Sequence, residues 1–199
     1  MSPQNNFYGT QVALAASLVL FHGKRVRDIT GGQLPVVCLK SLDGGKSLGK
    51  SGVARLMMKC SSSWERNKLS PRLKRETIQK KLALTTCPVL FDDIKDPKFL
   101  DRNTEGFDDG EVYETNEGEF TRKAEIIITA NYFGLEEGNL DGERILDRLS
   151  VIPFVEWDEM SPSEFTRRQK RFKKVIDDPQ KPTEFLIGEI GNTFIYSKY

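Results

Sequence analysis

Residues Gly44-Gly45-Lys46-Ser47-Leu48-Gly49-Lys50-Ser51 complete the pattern G-x-x-x-x-G-K-[ST]. Each fixed position suits triphosphate chemistry. Glycines let the backbone curl so that its N–H groups face a polyphosphate. The lysine reaches the β- and γ-phosphates, and the hydroxyl after it ligates Mg²⁺. All eight residues are therefore candidate nucleotide contacts, with Lys50 the phosphate lysine and Ser51 a metal ligand. The internal Gly45-Lys46-Ser47 cannot take that register, because its leading glycine would fall on Lys40. Average residue usage makes four such fixed positions coincide by chance roughly once in a hundred chains of this length.

Three further groups of residues extend the chemistry. Asp92-Asp93 closes the apolar run Val89-Leu90-Phe91. Triphosphate hydrolysis needs Mg²⁺ held against the phosphates and an oriented, deprotonated water. Asp92 suits the metal side and Asp93 the water, although strand-terminal aspartates also cap turns. Asn131 ends Ile126-Ile127-Ile128-Thr129-Ala130, where an amide can meet a γ-phosphate or a water; Thr129 is the alternative for that task, and a turn residue the plainer one. Arg144 and Arg148, four apart, would share a helix face. A planar, permanently charged guanidinium suits developing phosphate charge, but ion pairing with Glu143 and Asp147 is the plainer reading.

The elements that must position these groups follow from patterning. Residues 34–39 form a short apolar, β-branched run, and Ser51 onward opens a helix. Strand, glycine loop and helix in that order set a phosphate at a helix N-terminus. A helix over about residues 10–22 stops at His22-Gly23 and is followed by a polar stretch. Residues 60–64 read as a short strand or a turn. Ser70-Pro71 reads as an N-cap and first helical position, with the helix running to Leu84. Alternation around a turn over 112–120 predicts a β-hairpin. Residues 124–130 and 149–154 are further apolar strands, and the pattern from Ser161 is helical and charged. The expected fold is α/β: a mainly parallel five-stranded sheet flanked by helices, whose ligands lie beyond the strand C-terminal ends. The chain divides into a helical lead-in (1–30), the core (31–156) and a helical C-terminal extension (157–199).

Composition narrows the partners. With 30 basic and 29 acidic side chains in 199 residues, no global field attracts polyanions. Basic runs at 68–81 and 167–174 read first as solvated helix faces and second as nucleic-acid contacts. Three dispersed cysteines read as reduced core thiols, and a single histidine excludes a histidine-rich metal site. The apolar stretch 12–21 is too short to span a bilayer and reads as a buried helix on the sheet. No membrane partner is expected, and an intracellular location, cytoplasm or nucleus, follows by default.

In order and spacing, Gly-x4-Gly-Lys-Ser, apolar-Asp-Asp, Ile-Ile-Ile-Thr-Ala-Asn and Asp-Arg-Leu-x-Val-Ile-Pro-Phe resemble superfamily 3 helicases and related AAA+ ATPases of viral and mobile-element replication. The resemblance spans about residues 35–155. It implies ATP and Mg²⁺ as cofactors, a homo-oligomeric ring, usually a hexamer, and single-stranded DNA or RNA as the driven partner. It makes Asn131 the sensor and Arg148 the arginine finger reaching a neighbour's nucleotide, with Arg144 second. The family's pore hairpin is basic and aromatic. Here residues 101–123 carry Glu105, Asp108, Asp109, Glu111, Glu114, Glu117 and Glu119 against Arg102, Arg122 and Lys123. Such a hairpin repels phosphates. The expected function is an ATP-hydrolysing helicase motor. Its rivals are a nucleotide-controlled assembly protein with little turnover and a small-molecule kinase.

Overall fold

The structure, a computed structural model, describes residues 6–31, 34–41, 49–60, 67–95, 99, 112–115, 118–131, 145, 147–155, 163, 166, 167 and 170. Its centre is a five-stranded, all-parallel sheet in the order β2-β3-β6-β1-β7. The strands are β1 (Val36–Ser41), β2 (Lys68–Leu69), β3 (Val89–Ile94), β6 (Ile126–Ala130) and β7 (Leu149–Phe154). An antiparallel hairpin, β4 (Val112–Thr115) and β5 (Gly118–Thr121), stands apart from it. The helices are α1 (Phe7–Phe21), α2 (Gly23–Thr30), α3 (Lys50–Cys60) and α4 (Arg75–Leu84). The expected mainly parallel α/β sheet is thus present and wholly parallel.

Continuous apolar strands are what a parallel sheet covered on both faces requires. Side chains alternate across the strand, so neighbours in sequence enter different cores. Val37, Leu39, Leu90, Ile127, Ile152 and Phe154 pack with α1 and α3 through Leu14, Leu20, Val53, Leu56 and Met57. Val36, Cys38, Val89, Phe91, Ile126 and Ile128 face the other way, onto Ile78 and Leu82 of α4. That alternation assigns α3 to one face of the sheet, and with it every strand residue two positions on from Leu90 or Ile127.

The N-terminal segment departs from expectation. The first helix ends where expected, with His22 as the C-cap residue of α1, but the polar stretch after it is itself helical, and the chain restarts at Gly23 as α2. Gly23 is also required by packing. A Cβ on it would lie 2.5 Å from Cγ of Glu125, which is buried at the start of β6. Nor is α1 buried all round. Ala13, Leu14, Ser17 and Leu20 face inward, while Tyr8, Val12, Leu18 and Val19 are exposed. Asn6 ties the start of α1 to the end of β7: its Nδ2 donates to the Val155 carbonyl at 3.2 Å, and its Oδ1 accepts from the Val155 N–H at 3.0 Å. Among the described residues no helix is long and apolar enough to cross a membrane.

The helix expected from Ser70-Pro71 begins later, with Lys74 as N-cap residue. Ser70 instead closes a turn, its carbonyl accepting from the Leu73 N–H at 3.2 Å and its hydroxyl from the Arg72 N–H at 3.3 Å. Ahead of that turn, Lys68–Leu69 supplies the edge strand β2, which no periodicity could announce in two residues. Residues 61–64 of the expected 60–64 strand or turn lie outside the described residues, as does most of the segment after 155.

Candidate nucleotide and metal site

The site starts at the N-terminus of α3. Gly49 adopts φ 87°, a left-handed conformation open to glycine, and its carbonyl accepts the first helical hydrogen bond from Val53 at 2.9 Å. Lys50 and Ser51 therefore occupy the first helical positions, where backbone N–H groups and the helix dipole favour an anion. Lys50 is buried, and that burial pulls its ammonium below the ordinary lysine range, against the opposing pull of Asp93 and Cys38. An anion brought to it would favour the charged form. Gly44, Gly45, Lys46, Ser47 and Leu48 lie outside the described residues.

Period-2 alternation carries Asp92, two positions on from Leu90, and Thr129, two on from Ile127, to the α3 side of the sheet. They meet Ser51 there. Asp92 Oδ1 accepts from Ser51 Oγ at 2.8 Å and from Thr129 Oγ1 at 2.7 Å. Its Oδ2 accepts from Lys68 Nζ at 2.7 Å. Burial would push the Asp92 carboxyl up, but the hydrogen bonds from Lys68, Thr129 and Ser51, with the charge of Lys68, hold it below the usual carboxylate range. It is an ionised, highly solicited acceptor.

Asp93 is set differently. The β3–β6 register shifts between Phe91 and Ile94, and Asp93 takes φ 58°, a conformation that aspartate tolerates better than most residues. Its N–H donates to Thr129 Oγ1 at 2.8 Å, and its Oδ1 accepts from Asn131 Nδ2 at 3.1 Å. Lys95 Nζ stands 3.4 Å from the other oxygen. Asn131 and Asp93 are thus in contact, while Thr129 bridges the two aspartates. Sequence reading ranked Thr129 second to Asn131 and placed Lys68 only within a basic run; both touch Asp92 directly.

Ser51 and Asp92 suit Mg²⁺ by chemistry: a hydroxyl and a carboxylate oxygen already adjacent, with a cation, Lys68, drawn to the same carboxylate. Among the described residues no group of three His, Cys, Asp or Glu side chains is placed to hold a metal. Mg²⁺ takes one or two protein ligands and fills its shell with phosphate and water.

Arg148 lies elsewhere. Its carbonyl accepts from the Val36 N–H at 3.0 Å, at the N-terminal end of β1. The phosphate loop follows the C-terminal end of that strand, about 17 Å away at the usual rise per residue, beyond the extension of an arginine side chain. Arg144 lies outside the described residues. The three cysteines are free thiols; burial pushes Cys38 up to about 12 and Cys60 up to about 11, so neither is a nucleophile.

Comparison with known proteins adds to this geometry. No family model and no curated protein sequence matches the chain. Among solved structures it is similar to the SCCmec type IV Cch active helicase, with a TM-score of 0.54 and 14% identity over 85% of this chain and 32% of that one. It is also similar to the JCV helicase, with a TM-score of 0.51 and 14% identity over 90% of this chain and 52% of that one. The likeness is one of fold. The chain spans about a third of the first helicase and about half of the second.

Proposed function

We propose that this chain is the ATPase core of a nucleic-acid motor of the superfamily 3 or AAA+ kind, working in a homo-oligomeric ring, usually a hexamer by resemblance, on single-stranded DNA or RNA. The observation that carries the reading is the direct contact of Ser51 with Asp92. It joins the helix that follows the glycine loop to a strand-end carboxylate, with Asn131 and Asp93 paired behind it. The helicases of similar fold support the same reading.

In this mechanism Lys50 and the loop amides of residues 44–51 would hold the triphosphate, and Ser51 and Asp92 would hold Mg²⁺. Bound there, the metal would supply neutralisation of phosphate charge. Asp93, fixed by Asn131, orients a water in line with the γ-phosphorus and takes its proton. The new P–O bond forms as the bond to the β–γ bridging oxygen breaks, leaving ADP and phosphate. Arg148, too far from its own loop, serves the nucleotide of a neighbouring subunit, and Arg144 is the second candidate.

Lys50→Ala is expected to abolish ATP turnover, measured as phosphate release; retained turnover sinks the assignment. The wild-type rate, measured with and without single-stranded nucleic acid, tests the motor. A nucleotide-controlled assembly protein is the second reading, favoured by the hairpin, whose register sets Glu114 opposite Glu119. It predicts nucleotide-dependent oligomers with no stimulation by nucleic acid. Phosphate release without an acceptor excludes the kinase alternative.

A further inference from the structure

The edge strand β2 is two residues long, and its register decides what it contributes. Lys68 lies opposite Leu90, and Leu69 opposite Phe91. In a parallel pair, partners in register point to the same face. Leu69 therefore joins Phe91 in the core toward α4, and Lys68 joins Leu90 and Asp92 on the side of α3. The chain then turns at once through Ser70, so this lysine is held at the sheet edge by a backbone pairing and a turn. Its Nζ meets Asp92 Oδ2 at 2.7 Å, on the oxygen that Ser51 and Thr129 leave to it. The lysine side chain is 41% exposed and that of Asp92 19%.

From this arrangement we infer that Lys68 is a positioning residue that competes with Mg²⁺ for Asp92, standing in for the cation before metal–nucleotide arrives and giving way when it does. The inference rests on the assignment of Ser51 and Asp92 to the metal. Two charges of the same sign cannot share one carboxylate at contact distance without mutual repulsion. Metal entry therefore weakens the hold of the ammonium on Asp92, and its exposure and long flexible stem let it withdraw. Before entry, the ammonium neutralises Asp92 beside the buried Lys50 and keeps the carboxylate aligned toward Ser51. Lys68 thus sets how strongly nucleotide binding depends on Mg²⁺.

The test compares the affinity for a fluorescent ADP analogue in Mg²⁺ and in EDTA for wild type, Lys68→Met and Lys68→Arg. The ratio of the two affinities measures how much the metal adds. Lys68→Met removes the competing charge and is expected to raise that ratio about two- to fivefold, the range of a partly exposed ion pair. Lys68→Arg keeps the charge and is expected to keep the wild-type ratio. An unchanged or lowered ratio in Lys68→Met overturns the inference. So does an equal loss of affinity in Mg²⁺ and in EDTA, which marks Lys68 as a nucleotide contact. If wild type binds no nucleotide, and Lys50→Ala is indistinguishable from it, the nucleotide-site reading itself fails. Circular dichroism of the folded variants separates these outcomes from misfolding.

Discussion

Thr129 shows how much one hydroxyl does here. It donates to Asp92 and accepts from the backbone of Asp93, so it sets the spacing of the two carboxylates to which the mechanism assigns different tasks. Replacing it by valine keeps the shape, leaves the Asp93 N–H without that acceptor, and takes one donor from Asp92. An unsatisfied buried donor costs about 1–3 kcal/mol. The Asp93 N–H is only part-buried, so Thr129→Val is expected to lose about 1 kcal/mol, the low end of that range, in urea unfolding and to lower kcat, with Thr129→Ser close to wild type in both. Equal kcat in valine and wild type would remove Thr129 from the site. The sequence showed Thr129 as one residue of a strand end beside Asn131. It could not show which of the two reaches Asp92, because that depends on the register of β6 against β3.

At the scale of elements, the two ends of the sheet do different work. The C-terminal ends gather the candidate site, whereas the N-terminal end near β6 is closed by an ion cluster around the buried Glu125. Glu125 pairs with Arg27 of α2, and Arg122 Nη2 lies 3.6 Å from its other oxygen. The arginines also hold backbone: Arg27 donates to the Lys123 carbonyl at 3.1 Å and Arg122 to the Ala124 carbonyl at 3.0 Å. This cluster fixes α2 and the base of the hairpin to the sheet. Removing one partner from a fully buried pair costs about 3–5 kcal/mol, and the arginines left here are partly exposed, which sets the loss at the low end. Glu125→Ala is expected to lose about 3 kcal/mol in denaturant unfolding while nucleotide affinity holds, since the cluster sits at the edge opposite Lys50. A parallel fall in affinity at full folding would instead couple the two edges. β1, β3, β6 and β7 were legible as apolar runs, because a parallel sheet buries both faces. α2 and β2 were not: eight mostly polar residues after a true helix end look like loop, and two residues carry no period.

For the whole molecule, the separation of Arg148 from the phosphate loop turns a question of mechanism into one of assembly. An arginine at the wrong end of its own β1–β7 pair can act on a nucleotide only from another copy. Arg148→Ala is expected to bind ATP normally and to lose turnover about 10³-fold or more. Lys50→Ala fails at binding. Mixing the two inactive variants creates interfaces with one intact lysine and one intact arginine, so turnover returns in the mixture but in neither parent. Absence of rescue, with mixed oligomers demonstrated by mass, would rule out a site shared between copies. The sequence by itself determined the local chemistry: a glycine loop before a helix, carboxylates and an amide at strand ends, and four apolar strands. Those are properties of spacing and side-chain type. Only the tertiary structure decided who touches whom. Strand order and register brought Ser51, Lys68, Asp92 and Thr129 to one face from four separate segments, and put Arg148 at the opposite edge. Pairing across a sheet is a long-range choice made by packing on both faces at once, so no single stretch of chain records it.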